Sequence, residues 1–257
     1  MRLTFRMAFL FSLAVLQSGS LNAQVPSEIA HPATHFVVVV DRSTSVTAAE
    51  LAGYAELLSQ LAQNVSFGDR ITMFVAFGQG RRQGTTEITR EMPPARNAGN
   101  PSQTERTALE GARASLNSAT KALFKVPALE WTDLLTSLRQ ASEQYDTQDS
   151  RRRILLMLSD MLHCVPGEFC LDRKDFNGVH ADWLSRQQAN GTLPALHNAC
   201  VVIVGVEQAT QRDGLVREFW RSYFTAAGAD FSAGRYRYAV QGLPWRDCWQ
   251  RGRVDTH

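Results

Sequence analysis

The chain lacks the motifs that mark several common enzyme chemistries. None of its 257 residues forms a G-x-S-x-G elbow, so a hydrolase nucleophile of that type is unsupported. No G-x-x-x-x-G-K-S/T run occurs, which excludes the common phosphate loop. The loop at Asp41 has Ser43 where a D-x-D phosphotransferase site would carry a second aspartate. The histidines, at 31, 35, 163, 180, 197 and 257, are scattered. We therefore read the chain as a non-enzyme. A charge excess is also missing. Residues 1–23 hold Arg2, Arg6 and no acid, so removing them from 27 basic and 25 acidic groups leaves 25 of each. That balance gives no electrostatic case for nucleic acid. Past residue 23 no apolar run approaches membrane-spanning length, so no transmembrane segment is expected in the mature chain.

What is present begins with a leader. Arg2 and Arg6 precede an apolar core, Met7 to Val15, and Leu21-Asn22-Ala23 ends in a small residue. This is the layout of a secretory signal peptide cleaved near Ala23, and it predicts a periplasmic or secreted protein. Residues 24–34 contain proline and show no period, so they read as a lead-in. In an oxidising compartment the four cysteines, Cys164, Cys170, Cys200 and Cys248, predict two disulfides. Spacing alone leaves three connectivities open. Cys164 and Cys170 are near enough to pin a small loop, which would leave Cys200 with Cys248. A rival zinc site from His163, Cys164, Cys170 and His180 has no common ligand spacing.

The stretch around which the chain is organised is His35 to Val46. Phe36 to Val40 is a continuous apolar run that ends in Asp41, with Ser43 and Ser45 at alternate positions after it. Such a run suits a central strand of a parallel sheet covered on both faces. Ligands bind such sheets at the carboxyl ends of the strands, where these three oxygen-bearing side chains would lie. One carboxylate and two hydroxyls are hard donors, suited to Mg²⁺ or a similar cation.

Further strands are predicted at Ile71–Phe77, Thr85–Thr89, Ile154–Leu158, Ala199–Val206 and Tyr236–Val240. Helices are predicted from Thr47, over Ser102–Lys125, from Thr132-Asp133, over Ala181–Ala189, and around Leu215–Phe224. Phe219, Trp220, Tyr223 and Phe224 read as core packing, and Trp245 and Trp249 lie in a short basic tail. The alternation predicts one doubly wound α/β domain over 35–241, with a mostly parallel sheet, an enlarged helical segment at 79–131 and a tail at 242–257.

Three loops share a strand end or helix start: Asp41-x-Ser43-x-Ser45, Thr132 in W-T-D-L-L-T-S-L, and Asp160 in I-L-L-M-L-S-D. In that order and context they resemble the von Willebrand factor type A (VWA) family and its metal-ion-dependent adhesion site. The resemblance covers about residues 35 to 241. It implies a Rossmann-like fold and a divalent cation, Mg²⁺ first and Mn²⁺ or Ca²⁺ next. It also implies a protein partner that completes the site with an Asp or Glu carboxylate. Asp41, Ser43, Ser45, Thr132 and Asp160 are the implied metal residues. The chain departs from the family pattern at Met161, where many members carry glycine. A second reading is a structural docking subunit of a bacterial envelope assembly, such as secretion or conjugation machinery, with the metal secondary. A third is a metal-dependent hydrolase.

Overall fold

The computed structural model describes residues 31–78, 86–166, 170–171, 179–205, 211–237 and 242–250. The leader at 1–23 and most of the lead-in lie outside these residues, as does the 238–240 part of the expected last strand.

The apolar run after His35 is strand β1, Thr34–Val40, and all seven of its residues are buried. It lies at the middle of a six-stranded sheet, with β2 (Arg70–Val75) on one side and β4 (Arg152–Leu158) on the other. Both pairings are parallel, with Phe36 opposite Ile71 and Ile154. The sheet continues outward through the antiparallel edge strand β3 (Glu87–Glu91) and, on the other side, through parallel β5 (Cys200–Val204) and β6 (Tyr236–Arg237). The strand order is therefore 3-2-1-4-5-6. This is the mostly parallel, doubly wound α/β architecture, and the direction of winding reverses between β1 and β4.

Side chains of a strand alternate between faces, and both faces of β1 are covered. Phe36, Val38 and Val40 pack with Tyr54, Leu57, Leu58 and Leu61 of helix α1, Ala48–Asn64. Val37 and Val39 pack on the opposite side with Leu134 and Leu138 of α3, Leu134–Glu143. Phe219, Trp220, Tyr223 and Phe224 of α5, Gln211–Ala226, join that same core and are all at most 1% exposed. Helix α4, Val179–Ala189, packs on α5. The aromatic stripe is core, as its helical spacing predicts.

Local sequence sets the helix starts. Thr47 and Glu50 form the expected capping box at α1, and Ser102 with Glu105 form another at α2, Gln103–Leu123. Leu109, Leu116 and Leu123 bury a narrow seam of α2. This helix packs on α1 and the β3 edge.

The tail returns to the core. Trp245 is fully buried, its ring 5.9 Å from Phe36, and the short helix α6, Arg246–Gln250, carries Cys248. The disulfides are Cys164–Cys170 and Cys200–Cys248. With both sulfurs of Cys164 and Cys170 in a disulfide, a zinc site of these thiolates is excluded.

Some boundaries shift. The second strand ends at Val75, because Phe77 leaves the ladder to pair with Asp133. The edge strand runs Glu87–Glu91 rather than Thr85–Thr89, and residues 79–85 lie outside the described set.

Candidate functional site

The reversal in strand order places the ends of β1 and β4 side by side, with helices diverging to opposite faces. A crevice at such a switch point is where open α/β sheets take ligands. The ladder carries one step beyond the strands, since the Asp41 N–H donates to the Leu158 carbonyl at 2.8 Å. Asp41 therefore sits beside Ser159 and Asp160, although 118 residues separate Asp41 from Ser159 in sequence.

Asp41 is fully buried and its carboxylate is held from three directions. Oδ1 accepts from the Ser43 N–H at 2.8 Å and from Thr132 Oγ1 at 3.3 Å. Oδ2 accepts from Ser159 Oγ at 2.7 Å. The hydroxyls of Ser43 and Ser45 are 2.8 Å apart, and Ser45 lies near enough to Asp160 to oppose the rise in its pKa. Asp160 Oδ1 also accepts from the Leu162 N–H at 2.9 Å. Asp41, Ser43, Ser45 and Thr132 are thus linked by hydrogen bonds, and Asp160 joins them as the residue after Ser159. Ser45 and Thr44 are exposed, so the group opens to solvent on that side.

Thr132 reaches this group because the preceding connector is fastened to the Asp41 loop. The Leu129 N–H donates to the Arg42 carbonyl at 2.8 Å, and the Thr44 N–H donates to the Leu129 carbonyl at 2.9 Å. Arg42 Nη2 adds a bond to the Val126 carbonyl at 2.9 Å. Thr132 itself is not the helix cap. That role falls to Asp133, whose side chain accepts from the Thr136 N–H at 2.9 Å, which leaves the Thr132 hydroxyl available to Asp41.

The cysteine loop supports the same region. The Cys164 N–H donates to the Thr132 carbonyl at 3.0 Å. His163, buried nearby, accepts the Leu134 N–H on Nδ1 at 3.1 Å, and burial lowers its pKa to about 4. A neutral ring at that nitrogen holds the first turn of α3. Met161 lies in the left-handed region, φ 64°, where the family pattern favours glycine. Its side chain is fully buried and its carbonyl accepts from Trp220 Nε1 at 2.9 Å, so packing and a hydrogen bond offset the backbone strain.

Electrostatically the group is a pair of buried acids. Burial, opposed by hydrogen bonds from Ser159, Ser43 and Thr132, raises the pKa of Asp41. Burial and then the Asp41 charge push Asp160 up to about 7. Neither carboxylate has an ion-pair partner among the described residues. Two buried carboxylates without a basic side chain, ringed by hydroxyls, fit a small divalent cation, which would supply the missing positive charge. No cluster of three or more His, Cys, Asp or Glu metal ligands occurs among the described residues, so a cation here would draw on the neighbouring hydroxyl oxygens as well as the two carboxylates.

Two neighbours escaped the sequence reading. Ser159 was visible only as a strand end, and its adjacency to Asp160 was the available signal. Tyr54 was hidden within the apolar stripe of α1.

No protein-family model matches the chain, and no curated protein matches it significantly. Solved structures do. An aerotolerance-related membrane protein from Bacteroides fragilis is 12% identical, covers 84% of this chain and 96% of its own, and aligns with a TM-score of 0.44. Proximal thread matrix protein 1 of the mussel byssus, in a structure with zinc in its MIDAS motif, is 10% identical over 80% of this chain and 41% of its own, with a TM-score of 0.41. A von Willebrand factor type A protein from Catenulispora acidiphila is 14% identical over 77% of this chain and 43% of its own, with a TM-score of 0.29. The neighbours of this chain thus include VWA-domain proteins, while its α/β fold rests on its own strand order and register.

Proposed function

We propose that this chain is a VWA-type domain that binds a protein partner through a divalent cation held at the ends of β1 and β4. The observation that carries the reading is the buried Asp41–Asp160 pair, which has hydroxyl donors around it and, among the described residues, no basic side chain paired with it. Ser43, Ser45 and Thr132 would hold the cation with neutral oxygens. Asp41 and Asp160 would balance its charge and orient its waters, directly or at one remove. When bound, the cation supplies a Lewis-acidic point that accepts one further carboxylate. Mg²⁺ suits the small oxygen set best, with Mn²⁺ and Ca²⁺ as alternatives.

The protein's own residues prepare that exchange. Asp41 is fixed by three hydrogen bonds, so its orientation is set before a partner arrives. Exposed Thr44 and Ser45 leave one side open to a partner's Asp or Glu. The leader-like segment supports export to a periplasmic or extracellular location, and no described helix is long and apolar enough to cross a membrane. We further propose that the chain acts by binding rather than turnover.

The test is calorimetric titration with a panel of short peptides that each carry a single Asp or Glu, in Mg²⁺ and in EDTA. Binding by some peptides in Mg²⁺, absent in EDTA and absent for the Asn or Gln versions, supports the reading. Binding that persists unchanged in EDTA contradicts it and favours a docking subunit in which the metal is secondary.

A further inference from the structure

Tyr54 lies on the face of α1 that covers the sheet and is 1% exposed. Its hydroxyl oxygen is buried and has no hydrogen-bond partner among the described residues. A phenylalanine would fill the same space without burying an unpaired polar atom, which is costly. The placement of this hydroxyl is nonetheless closely determined. Gly205 follows β5 with φ 117°, and a Cβ there would lie 1.8 Å from the Tyr54 oxygen. The hydroxyl thus occupies a niche that only glycine leaves open. That niche is on the same edge of the sheet as the acid pair, because the Ser159 N–H donates to the Val204 carbonyl at 2.9 Å. Burial, and then the carboxylates of Asp41, Glu50 and Asp160, hold the phenol far above its ordinary pKa, so it stays protonated.

A protonated phenol both donates and accepts a hydrogen bond. Waters around a cation turn their hydrogens outward and need acceptors, while carboxylates need donors. We propose that Tyr54 is a positioning residue for the cation, accepting from a water of its hydration shell and donating toward the Asp41–Asp160 pair. This rests on the divalent-cation reading above. It assigns α1, and through Gly205 the end of β5, to the support of the site, beyond the three loops that carry the motif.

The experiment is titration of Mg²⁺ into the wild-type protein and Tyr54→Phe, followed by calorimetry and by near-ultraviolet tyrosine absorption, with cation-free melting of both. Loss of a supporting group around a metal weakens binding by about 10–100-fold. The expected result is Tyr54→Phe affinity at least about tenfold lower, with a cation-free melting temperature equal to or above wild type. A tyrosine difference spectrum should saturate with the wild-type titration and be missing in the variant. Equal Mg²⁺ affinity in the two proteins overturns the role of Tyr54 and leaves the cation site standing. Failure of wild type to bind Mg²⁺ overturns both. If Tyr54→Phe does not fold, the wild-type spectrum decides: a change with the calorimetric midpoint supports the proposal, and no change overturns it.

Discussion

Replacing Asp160 with asparagine should stabilise the cation-free protein at neutral to basic pH. The structure gives the size of the effect. Burial and the neighbouring Asp41 raise the Asp160 pKa from 3.8 to about 7. At about 1.4 kcal/mol for each pH unit, ionising it in the folded, cation-free protein costs on the order of 4 kcal/mol. The sign follows from proton uptake. Between 3.8 and about 7 the folded state binds more protons than the unfolded state, so this group's contribution is largest below pH 3.8 and declines as pH rises to about 7. Asparagine keeps an oxygen that can accept from the Leu162 N–H but carries no charge. In EDTA the variant should therefore lose this pH dependence and melt above wild type at pH 8, by roughly 10 °C at the conversion usual for a chain of this size. At pH 4 the two should differ little. Differential scanning calorimetry in EDTA across this range measures it. A variant that melts at or below wild type at pH 8 would refute the account of two buried, mutually repelling acids.

Other outcomes follow from the same contacts. Thr132→Val removes a hydroxyl whose bond to Asp41 is long, at 3.3 Å, so folding stability should change by only about 1 kcal/mol. Mg²⁺ affinity should fall at least about tenfold, read by calorimetry. Trp220→Phe leaves the Met161 carbonyl without its donor and should destabilise by about 1–3 kcal/mol in denaturant titration. Replacing Cys200 and Cys248 by serine opens a crosslink spanning 48 residues and should cost about 4 kcal/mol, with Trp245 fluorescence shifting as α6 leaves the core.

Much of this architecture is legible because its signals are local. The run Phe36–Val40 announces a strand buried on both faces, and Thr47 with Glu50 announces a helix start. The three loops of the site are readable for a related reason, since each is a short polar break beside an apolar run. Features that depend on long-range register are not. Nothing in the sequence tells that Ser159 faces Asp41, because that contact exists only when β4 pairs with β1 at Phe36–Ile154. Tyr54 looks like any stripe residue until Gly205 is seen opposite it. Thr132 and Asp133 are both good caps, and the choice between them is made by Phe77, whose carbonyl takes the Asp133 N–H at 2.7 Å. Helix α2 shows its seam of Leu109, Leu116 and Leu123 in sequence, but the position of its docking partner, α1, does not follow from that spacing.

The most direct test of the central claim is calorimetric titration of the mature protein with Mg²⁺, Mn²⁺ and Ca²⁺, alongside the Asp41→Ala/Asp160→Ala double variant. Saturable binding at one site is expected in the wild type, and none in a folded variant. A folded wild type that binds no cation, or a variant that binds as well as wild type, would contradict it.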